Sequence, residues 1–282
     1  MKHLKIILLF IVMAVLSQGC KQKIKEQQDE IYSRHLQEHI KLTIISTPIP
    51  NDKKELNLLL LNGGQEIKKW RVKEIIDSLW KTKSIQPLVI VAIEPGNAIA
   101  EFGVAGIPYY KENGTKADKY AEFIDNELYA YAKKKAGVRK FKSVAIAGSD
   151  AAGLSAFDIA WDHADKIDKM GVFSGAFGVS DISKENPDYS DDKNRIIINK
   201  IRSSRKKPKL KYWFYGNDIN ENGSRYMDSI SIDHTKDLIE IIKNKNISSP
   251  ADIVYKQAFQ KDHGFNDWSK ALPDFLIWAF GK

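Results

Sequence analysis

The sequence has very little cysteine and no clustered metal ligands. Cys20 is the only cysteine among 282 residues, so no internal disulfide can form. None of the histidines has the spacing to cysteine or to paired carboxylates that zinc sites show. We therefore predict no metal site and no cofactor. The six histidines are His3, His35, His39, His163, His234 and His263.

The sequence also lacks an apolar run that could span a bilayer at its N-terminus. The run at 6–16 has eleven residues, whereas a spanning helix needs roughly 20. It follows the short basic segment 1–5, and this order is typical of a secretory signal peptide. A buried core helix is a poor alternative, because the run is apolar on every face.

The residues after this run resemble a bacterial lipobox. Small Gly19 directly precedes Cys20, although Leu16 lies four residues before the cysteine instead of the preferred three. We predict that residues 1–20 are a lipoprotein signal peptide and that Cys20 carries a lipid. The protein would then be anchored in the bacterial cell envelope, facing the periplasm or the surface. An ordinary signal peptide or an unprocessed anchor is the alternative.

Charge of one sign is not concentrated in any domain-sized region. The net charge is +8, and removal of Lys2 and Lys5 with the signal peptide leaves +6. The densest basic run is 203–209, which is typical of a solvated loop or of contact with anionic lipid headgroups. No basic patch is interleaved with aromatic residues, so we predict no nucleic-acid partner.

The rest of the chain indicates a single α/β domain. Residues 21–39 are polar and predict a flexible tether, whereas strands and helices alternate over 40–282. This alternation predicts a doubly wound, mostly parallel sheet. Ligands of such sheets bind outside the carboxyl ends of the strands, which places candidate chemistry after Leu61, Ala147 and Tyr215.

A strand, a tight turn and a helix are predicted around residues 144–156. The sequence VAIAGSDAAGLSA resembles, without a gap, the nucleophile elbow of the "Putative esterase" family, which includes enterochelin esterases. Four further segments are similar to that family in the same order, so the resemblance covers about 40–282. They are EFG at 101–103, VFSGAF at 172–177, HGFNDW at 263–268 and LPDFLIW at 272–278. The resemblance implies an α/β-hydrolase fold and carboxylic-ester hydrolysis.

The catalytic serine of the family is replaced here. The alignment puts Asp150 at the nucleophile position, and an aspartate at pH 7 normally has no proton to give to a histidine. The resemblance further implies oxyanion donors at Gly63, Gly64 and Ala151. Ala152 replaces a family glycine and adds one methyl group to the turn.

Three interpretations of Asp150 stay open. In the first, the protein is a pseudoenzyme that keeps the fold and has lost hydrolysis. In the second, Asp150 is itself a nucleophile and His263 activates water against the ester intermediate. In the third, Ser149 acts instead, since Ala147 and Ala151 supply small neighbours.

The other site positions follow from the resemblance. His263 stands at the base position, Asp218 is our choice for the acid, and Glu221 is the alternative. Asp150 and His263 could form an ion pair, because a carboxylate favours a charged imidazole.

The substrate pocket also departs from the family. Gly178 and Val179 stand where relatives often carry bulky aromatic residues. The candidate functions are an altered ester hydrolase and a non-catalytic module that binds a small ester, a glycan, a siderophore or a protein. Fold alone does not separate these classes.

Overall fold

One eight-stranded sheet organises the protein in a computed structural model, which describes residues 23–217, 225–258 and 265–282. The strand order is β1-β2-β4-β3-β5-β6-β7-β8. Strands β3 to β8 are parallel, while β1 and β2 are antiparallel to their neighbours. The strands are β1 (Lys25–Ser33), β2 (Glu38–Ser46), β3 (Asn57–Asn62), β4 (Leu88–Glu94), β5 (Val144–Ser149), β6 (Lys169–Phe173), β7 (Lys211–Asn217) and β8 (Ile253–Ala258).

Helices cover both faces of this sheet. One apolar cluster joins the sheet to α1 and α9, and a second joins it to α3, α4, α5, α7 and α8. The helices are α1 (Val72–Lys81), α2 (Ala98–Glu101), α3 (Ala117–Glu122), α4 (Tyr129–Ala136), α5 (Asp150–Asp162), α6 (Asp191–Asn194), α7 (Ile196–Ser203), α8 (Arg225–Asn244) and α9 (Phe265–Phe280). The predicted doubly wound, mostly parallel α/β fold is confirmed.

The leucine run of β3 shows why the sheet is covered twice. Leu58 and Leu60 belong to one apolar cluster, whereas Leu59 and Leu61 belong to the other. Successive side chains of a strand point to opposite faces, so a strand between two helical layers needs no polar alternation. All four leucines are at most 2% exposed.

Residues 117–136 form a continuous helical stretch with one irregular turn. A π-helical segment, Phe123–Leu128, joins α3 to α4. Tyr120, Ile124 and Leu128 lie on the buried face, at most 1% exposed. The stretch ends at Gly137, whose φ of +66° is the left-handed conformation that glycine adopts without steric cost.

The prediction of a flexible tether over 21–39 is wrong for its described part. Residues Lys25–Ser33 form β1, which pairs with β2 over its whole length. Main-chain hydrogen bonds hold this edge strand, so it needs few apolar side chains, and its composition resembles that of a linker. Asp29 adds contacts to α4 by accepting hydrogen bonds from the Tyr131 hydroxyl, at 2.6 Å, and from Lys135.

The structure does not test the predictions for the N-terminal segment. Cys20 and the predicted signal peptide lie outside the described residues. Within the described ranges, no helix has both the length and the apolar character that a membrane span requires.

Candidate active site

The turn between β5 and α5 has the strained geometry of a nucleophile elbow. Ser149 ends the strand in an extended conformation, with φ −118° and ψ 154°. Asp150 opens the helix with φ +49°, a conformation that is uncommon for residues other than glycine. The residue at the tip is therefore Asp150 and not Ser149. The Asp150 side chain is exposed, as an elbow residue must be to reach a ligand.

Glycines permit this turn because the strand and the helix approach each other closely. A Cβ atom on Gly148 would lie 2.5 Å from the carbonyl oxygen of Ala152, and one on Gly153 would lie 3.0 Å from that of Gly148. Real Cβ atoms do not approach backbone at 2.5 Å. The small residues of the motif are thus required by the packing of the turn itself.

Asn62 ties the elbow to the predicted oxyanion loop. Its side-chain amide donates to the carbonyl oxygen of Ala152 at 3.2 Å, and its oxygen accepts from the Tyr120 hydroxyl at 3.0 Å. Both hydrogen bonds are buried, which fixes the end of β3 against the first turn of α5. Gly63 follows with φ +83°, and a Cβ atom there would lie 3.9 Å from the Ala152 methyl.

The predicted oxyanion residues therefore lie around one corner of the site. Gly64 packs so tightly on β4 that a Cβ atom would lie 2.7 Å from the carbonyl carbon of Ile93. Ala151 follows Asp150 in the first turn of α5. The extra methyl of Ala152 lies on the side of the turn that faces Gly63, and even a Cβ atom on Gly63 would meet it only at 3.9 Å, so the methyl causes no clash there.

The loop after β6 supports the elbow from the other side. Ser174 has φ +49° and donates its N–H to the carbonyl oxygen of Tyr215 at 2.7 Å. Two residues later, the N–H of Ala176 donates to the carbonyl oxygen of Asp150 at 3.1 Å. The Trp268 indole donates to the Ser174 hydroxyl at 3.3 Å. Three of the segments that resemble the family, represented here by Asp150, Ser174 and Trp268, are thus linked by hydrogen bonds beside the elbow.

A groove of about 510 Å³ opens beside Asp150. The loop 103–114 forms one wall and the loop 175–185 forms the other, joined by a hydrogen bond from the Tyr110 N–H to the Ser180 carbonyl. The described residues that line this groove are Tyr109, Tyr110, Asn113, Asp150, Gly175, Ala176, Gly178, Val179, Ser180, Ile182, Ser183, Lys184, Glu185 and His234.

Tyr109 is an aromatic side chain of the groove whose pKa is affected by the charge of Asp150. Its ring packs over two glycines, since Cβ atoms on Gly103 and Gly114 would lie 3.2 and 2.9 Å from its Cε1. Burial raises the pKa of the Tyr109 phenol, and the negative charge of Asp150 raises it further. The phenol therefore stays protonated at neutral pH and can donate a hydrogen bond into the groove.

A buried carboxylate positions the Tyr109 loop. Asp158, on α5, accepts the N–H of Ala105 at 2.8 Å and pairs with the Lys200 ammonium. Burial raises the pKa of Asp158, while Lys200 and the Ala105 N–H oppose that rise. The same helix that carries Asp150 at its first residue therefore also holds the opposite wall of the groove.

His234 is the groove residue that the sequence did not single out. Its side chain is 5% exposed, and its Nε2 lies 3.2 Å from Oδ2 of Asp191. A Cβ atom on Gly178 would lie 2.3 Å from Nδ1 of His234, so only glycine leaves room for this imidazole. Burial lowers the pKa of His234, partly opposed by Asp191. The missing aromatic residue at 178 was the available signal that a ring from elsewhere fills the space.

The predicted base and acid positions cannot be placed in this geometry. His263, Asp218 and Glu221 all lie outside the described residues, so the Asp150–His263 ion pair stays a prediction. Among the described residues, the Tyr215 hydroxyl donates to the buried carboxylate of Asp267 at 2.5 Å. In the described part of the chain, no group of three or more His, Cys, Asp or Glu side chains could hold a metal ion.

A family model decides the classification. The model described as "Putative esterase" matches residues 33–279, which is most of the chain. The chain belongs to the putative esterase family. A search of curated protein sequences found no significant match.

Solved structures of esterases share the fold of this family member. A ferulic acid esterase has a TM-score of 0.67 at 16% identity, over 92% of this chain and 98% of its own. The enterobactin esterase FES from Shigella flexneri, solved with enterobactin, has a TM-score of 0.70 at 16% identity, over 93% and 61%. The siderophore hydrolase EstB from Aspergillus nidulans has a TM-score of 0.65 at 13% identity, over 91% and 97%. The chain thus spans about three fifths of the enterobactin esterase.

Proposed function

We propose that the protein is a lipid-anchored member of the esterase family that binds a small ligand at the elbow groove and has lost serine-type ester hydrolysis. The observation that carries this proposal is Asp150 at the tip of a turn that keeps the geometry of a nucleophile elbow. A serine nucleophile works by surrendering its proton to a histidine. An ionised carboxylate has no such proton, so an acyl-enzyme on oxygen of serine cannot form at this position.

The groove chemistry favours a ligand that carries hydroxyl groups and a ring. The carboxylate of Asp150 accepts hydrogen bonds only, while the Tyr109 phenol donates and accepts. Tyr110, 43% exposed, offers an aromatic surface for a planar or sugar ring. Sugars and catechols have this pattern of paired donors around a flat face. A glycan, a siderophore or a small phenolic ester therefore fits best, and the structural neighbours include proteins named as ferulic acid, enterobactin and siderophore hydrolases.

The anchor rests on the sequence alone. An apolar run of eleven residues ends shortly before Gly19 and Cys20, in the order that a lipoprotein signal peptide has. We place the protein in the cell envelope on this basis. Mass spectrometry of the mature N-terminus tests it, since an intact Met1 would exclude both processing and lipidation.

A second candidate function is ester or epoxide-type hydrolysis with Asp150 as the nucleophile. It is favoured by the exposure of the carboxylate at a strained tip, which is where such a nucleophile would stand. Its oxygen would form an ester bond to a substrate carbon as the C–O bond at that carbon breaks and the leaving oxygen takes up a proton. Water activated by His263 would then hydrolyse this ester, which releases the product and restores the carboxylate. The extended backbone of Ser149, which belongs to β5, weighs against Ser149 as the nucleophile, although Ala147 and Ala151 are the small neighbours that it would need.

Hydrolysis assays separate these functions. The wild type, Asp150→Ala and Asp150→Ser would be compared on p-nitrophenyl acetate and on a feruloyl ester. We expect no turnover by the wild type above Asp150→Ala. Turnover well above that control would refute the loss of hydrolysis and support the aspartate nucleophile.

The same assay with Asp150→Ser asks whether the remaining machinery survives. The double variant Asp150→Ser/Ala152→Gly restores the family's residues at both altered positions of the turn. Activity in the double variant but not in Asp150→Ser would assign the residual block to the Ala152 methyl. Ligand binding is measured separately, by calorimetry with catechol-type and feruloyl compounds, with Tyr109→Phe as the variant that removes one donor.

A further inference from the structure

The loops at one end of the sheet form a single surface, opposite the elbow. Because β3 to β8 run in the same direction, the loops that precede them lie together, and the loops that follow them lie around Asp150. The start of β1 and the C-terminus join the first group, since Lys25 pairs with Ser46 and the N–H of Gln86 donates to Phe280. We call this surface the amino-end face: residues 23–24, 47–56, 82–87, 137–143, 163–168, 204–210, 245–252 and 281–282.

The amino-end face is strongly basic. It contains fourteen Lys and Arg residues against five Asp and Glu, and all but Lys166 and Lys245 of the fourteen are exposed. The described loops at the opposite end, 34–37, 63–71, 95–116 and 174–195, contain nine Lys and Arg against eight Asp and Glu. The positive charge that seemed scattered along the sequence is therefore collected on one side of the fold.

A cavity of about 1050 Å³ lies at one edge of this face. Lysines from separate elements rim it, among them Lys23, Lys83 and Lys282, while Trp80 supplies an apolar wall. Nζ of Lys282 lies 5.8 Å from the centre of the Trp80 ring. Ile49, in the neighbouring loop, is 40% exposed. Ammonium groups around exposed apolar and indole surface are the combination that binds lipid headgroups at a bilayer surface.

The covalent chain brings the predicted lipid to this same face. β1 begins at Lys25 on the amino-end face, and Cys20 precedes Lys23 by only three residues. Three residues span at most about 11 Å. A lipid on Cys20 would therefore hold the Lys23 end of this face within about 11 Å of the headgroups, a distance comparable to the Debye length of about 8 Å at physiological salt.

The strand order supplies a second contact at the far side. β7 is six strand positions from β1, which is roughly 29 Å at 4.8 Å per strand. The loop before β7 contains Arg205, Lys207 and Lys209, all exposed. A lipid at one edge and a basic loop at the other would fix the orientation of the domain on the membrane.

We propose that the amino-end face docks on the surface of an anionic bilayer, so that the Asp150 groove points away from the membrane. The docking rests on lipidation of Cys20 for its strength and on the basic face for its orientation. With six-residue strands between the two ends, the groove would stand about 20 Å or more above the headgroups. The ligand would then approach from the aqueous side.

Site-specific quenching tests this orientation in the full-length processed protein. Because Cys20 is the only cysteine, an introduced cysteine can be labelled alone once Cys20 carries its lipid. Asn51→Cys reports on the amino-end face, and Ile99→Cys, at a position 67% exposed on the opposite side, is the matched control. Vesicles contain phosphatidylcholine, 30% phosphatidylglycerol and a nitroxide-headgroup lipid, with about 30% chosen to resemble an anionic leaflet.

We expect the probe at Asn51 to be quenched at least about threefold more than the probe at Ile99, and the difference to shrink as salt rises. The triple variant Arg205→Gln/Lys207→Gln/Lys209→Gln should reduce this difference. The control Lys68→Gln/Lys111→Gln/Lys193→Gln, which removes the same charge from the opposite loops, should leave it unchanged. Equal quenching at both probes, or stronger quenching at Ile99, would overturn the proposed orientation.

Mass spectrometry of the same samples keeps the two proposals apart. A lipid on Cys20 with equal quenching would refute the docking face and leave the anchor intact. A protein without the lipid would refute the anchor. The Cys20→Ser variant, which cannot carry the lipid, tests the face alone. Its probe at Asn51→Cys should still show salt-sensitive quenching on anionic vesicles, and absence of that quenching would refute the docking face.

Discussion

The tightness of the elbow predicts a large penalty for one added methyl group. In Gly148→Ala, the new Cβ would lie 2.5 Å from the carbonyl oxygen and 2.6 Å from the carbonyl carbon of Ala152. Both atoms belong to the backbone of the first helical turn, so no rotamer change can move them. Either β5 or the start of α5 must shift, and Asp150 lies between them.

The expected magnitude follows from overpacking a close-packed site. Inserted methyl groups cost about 1–3 kcal/mol in such sites, and a clash with backbone atoms of Ala152 and Gly153 places Gly148→Ala near the upper value. At roughly 2–4 °C per kcal/mol for a domain of this size, the melting temperature should fall by about 6–12 °C. Differential scanning calorimetry and urea unfolding would measure the two quantities.

Gly106→Ala is the control for this variant. A Cβ atom on Gly106 would meet nothing within 4 Å, although its φ is +74°. It therefore carries only the left-handed backbone cost, about 1 kcal/mol, without overpacking. If Gly148→Ala is no more destabilised than Gly106→Ala, the close strand-to-helix approach is not as described and the elbow assignment loses its packing basis.

Three further predictions concern charged groups. Lys200→Met should cost about 3–5 kcal/mol, because it leaves the buried carboxylate of Asp158 without its cation, whereas Lys206→Met, at an exposed residue, should cost at most about 1 kcal/mol in urea unfolding. Burial lowers the pKa of His234, so its contribution to stability is present above about pH 6.5 and is lost as the pH falls; His234→Gln should flatten this dependence between pH 5 and 8. Lys135 and Tyr131 hold the pKa of Asp29 at about 2, so Asp29→Asn should make hydrogen exchange in β1 faster at neutral pH, and a wild type should approach the variant as the pH falls from about 4 towards 2.

The sequence was sufficient for the sheet and its order of elements where burial dictates composition. A strand such as β3, enclosed on both faces, must be a run of apolar residues, and that run is visible without a structure. The same holds for the buried stripe of the helix at 117–136. These elements are predictable because their burial is visible in their own residue types, without knowledge of which elements pack against them.

Elements held by main-chain pairing or by tertiary packing were not predictable in this way. β1 is polar because it lies at the sheet edge, so its composition is that of a linker. α7 contains Ile196, Ile197, Ile198 and Ile201, all at most 5% exposed. Consecutive β-branched residues favour a strand locally, and only packing against the second apolar cluster makes this segment helical.

In the candidate site, too, local motifs were predictable from the sequence and contacts made by tertiary packing were not. Asp150 was found from sequence because the elbow is a local motif, whereas His234 was not, because it reaches the groove from a helix more than fifty residues beyond Gly178. Its imidazole occupies the space that the glycine leaves. The space beside Gly178 is therefore not an empty pocket, because the imidazole of His234 fills it.

The strain at Asp150 does not by itself indicate an active nucleophile. Aspartate is among the few residues other than glycine that adopt a positive φ at low cost, so a carboxylate is one of the least costly side chains that this turn can hold. Asp150 is exposed and lines the groove. Burial and the negative charge of Asp150 together raise the pKa of the Tyr109 phenol in the same groove. The exposure of Asp150 beside the groove, and not the strain of its backbone, is therefore the observation that supports a ligand site at this elbow.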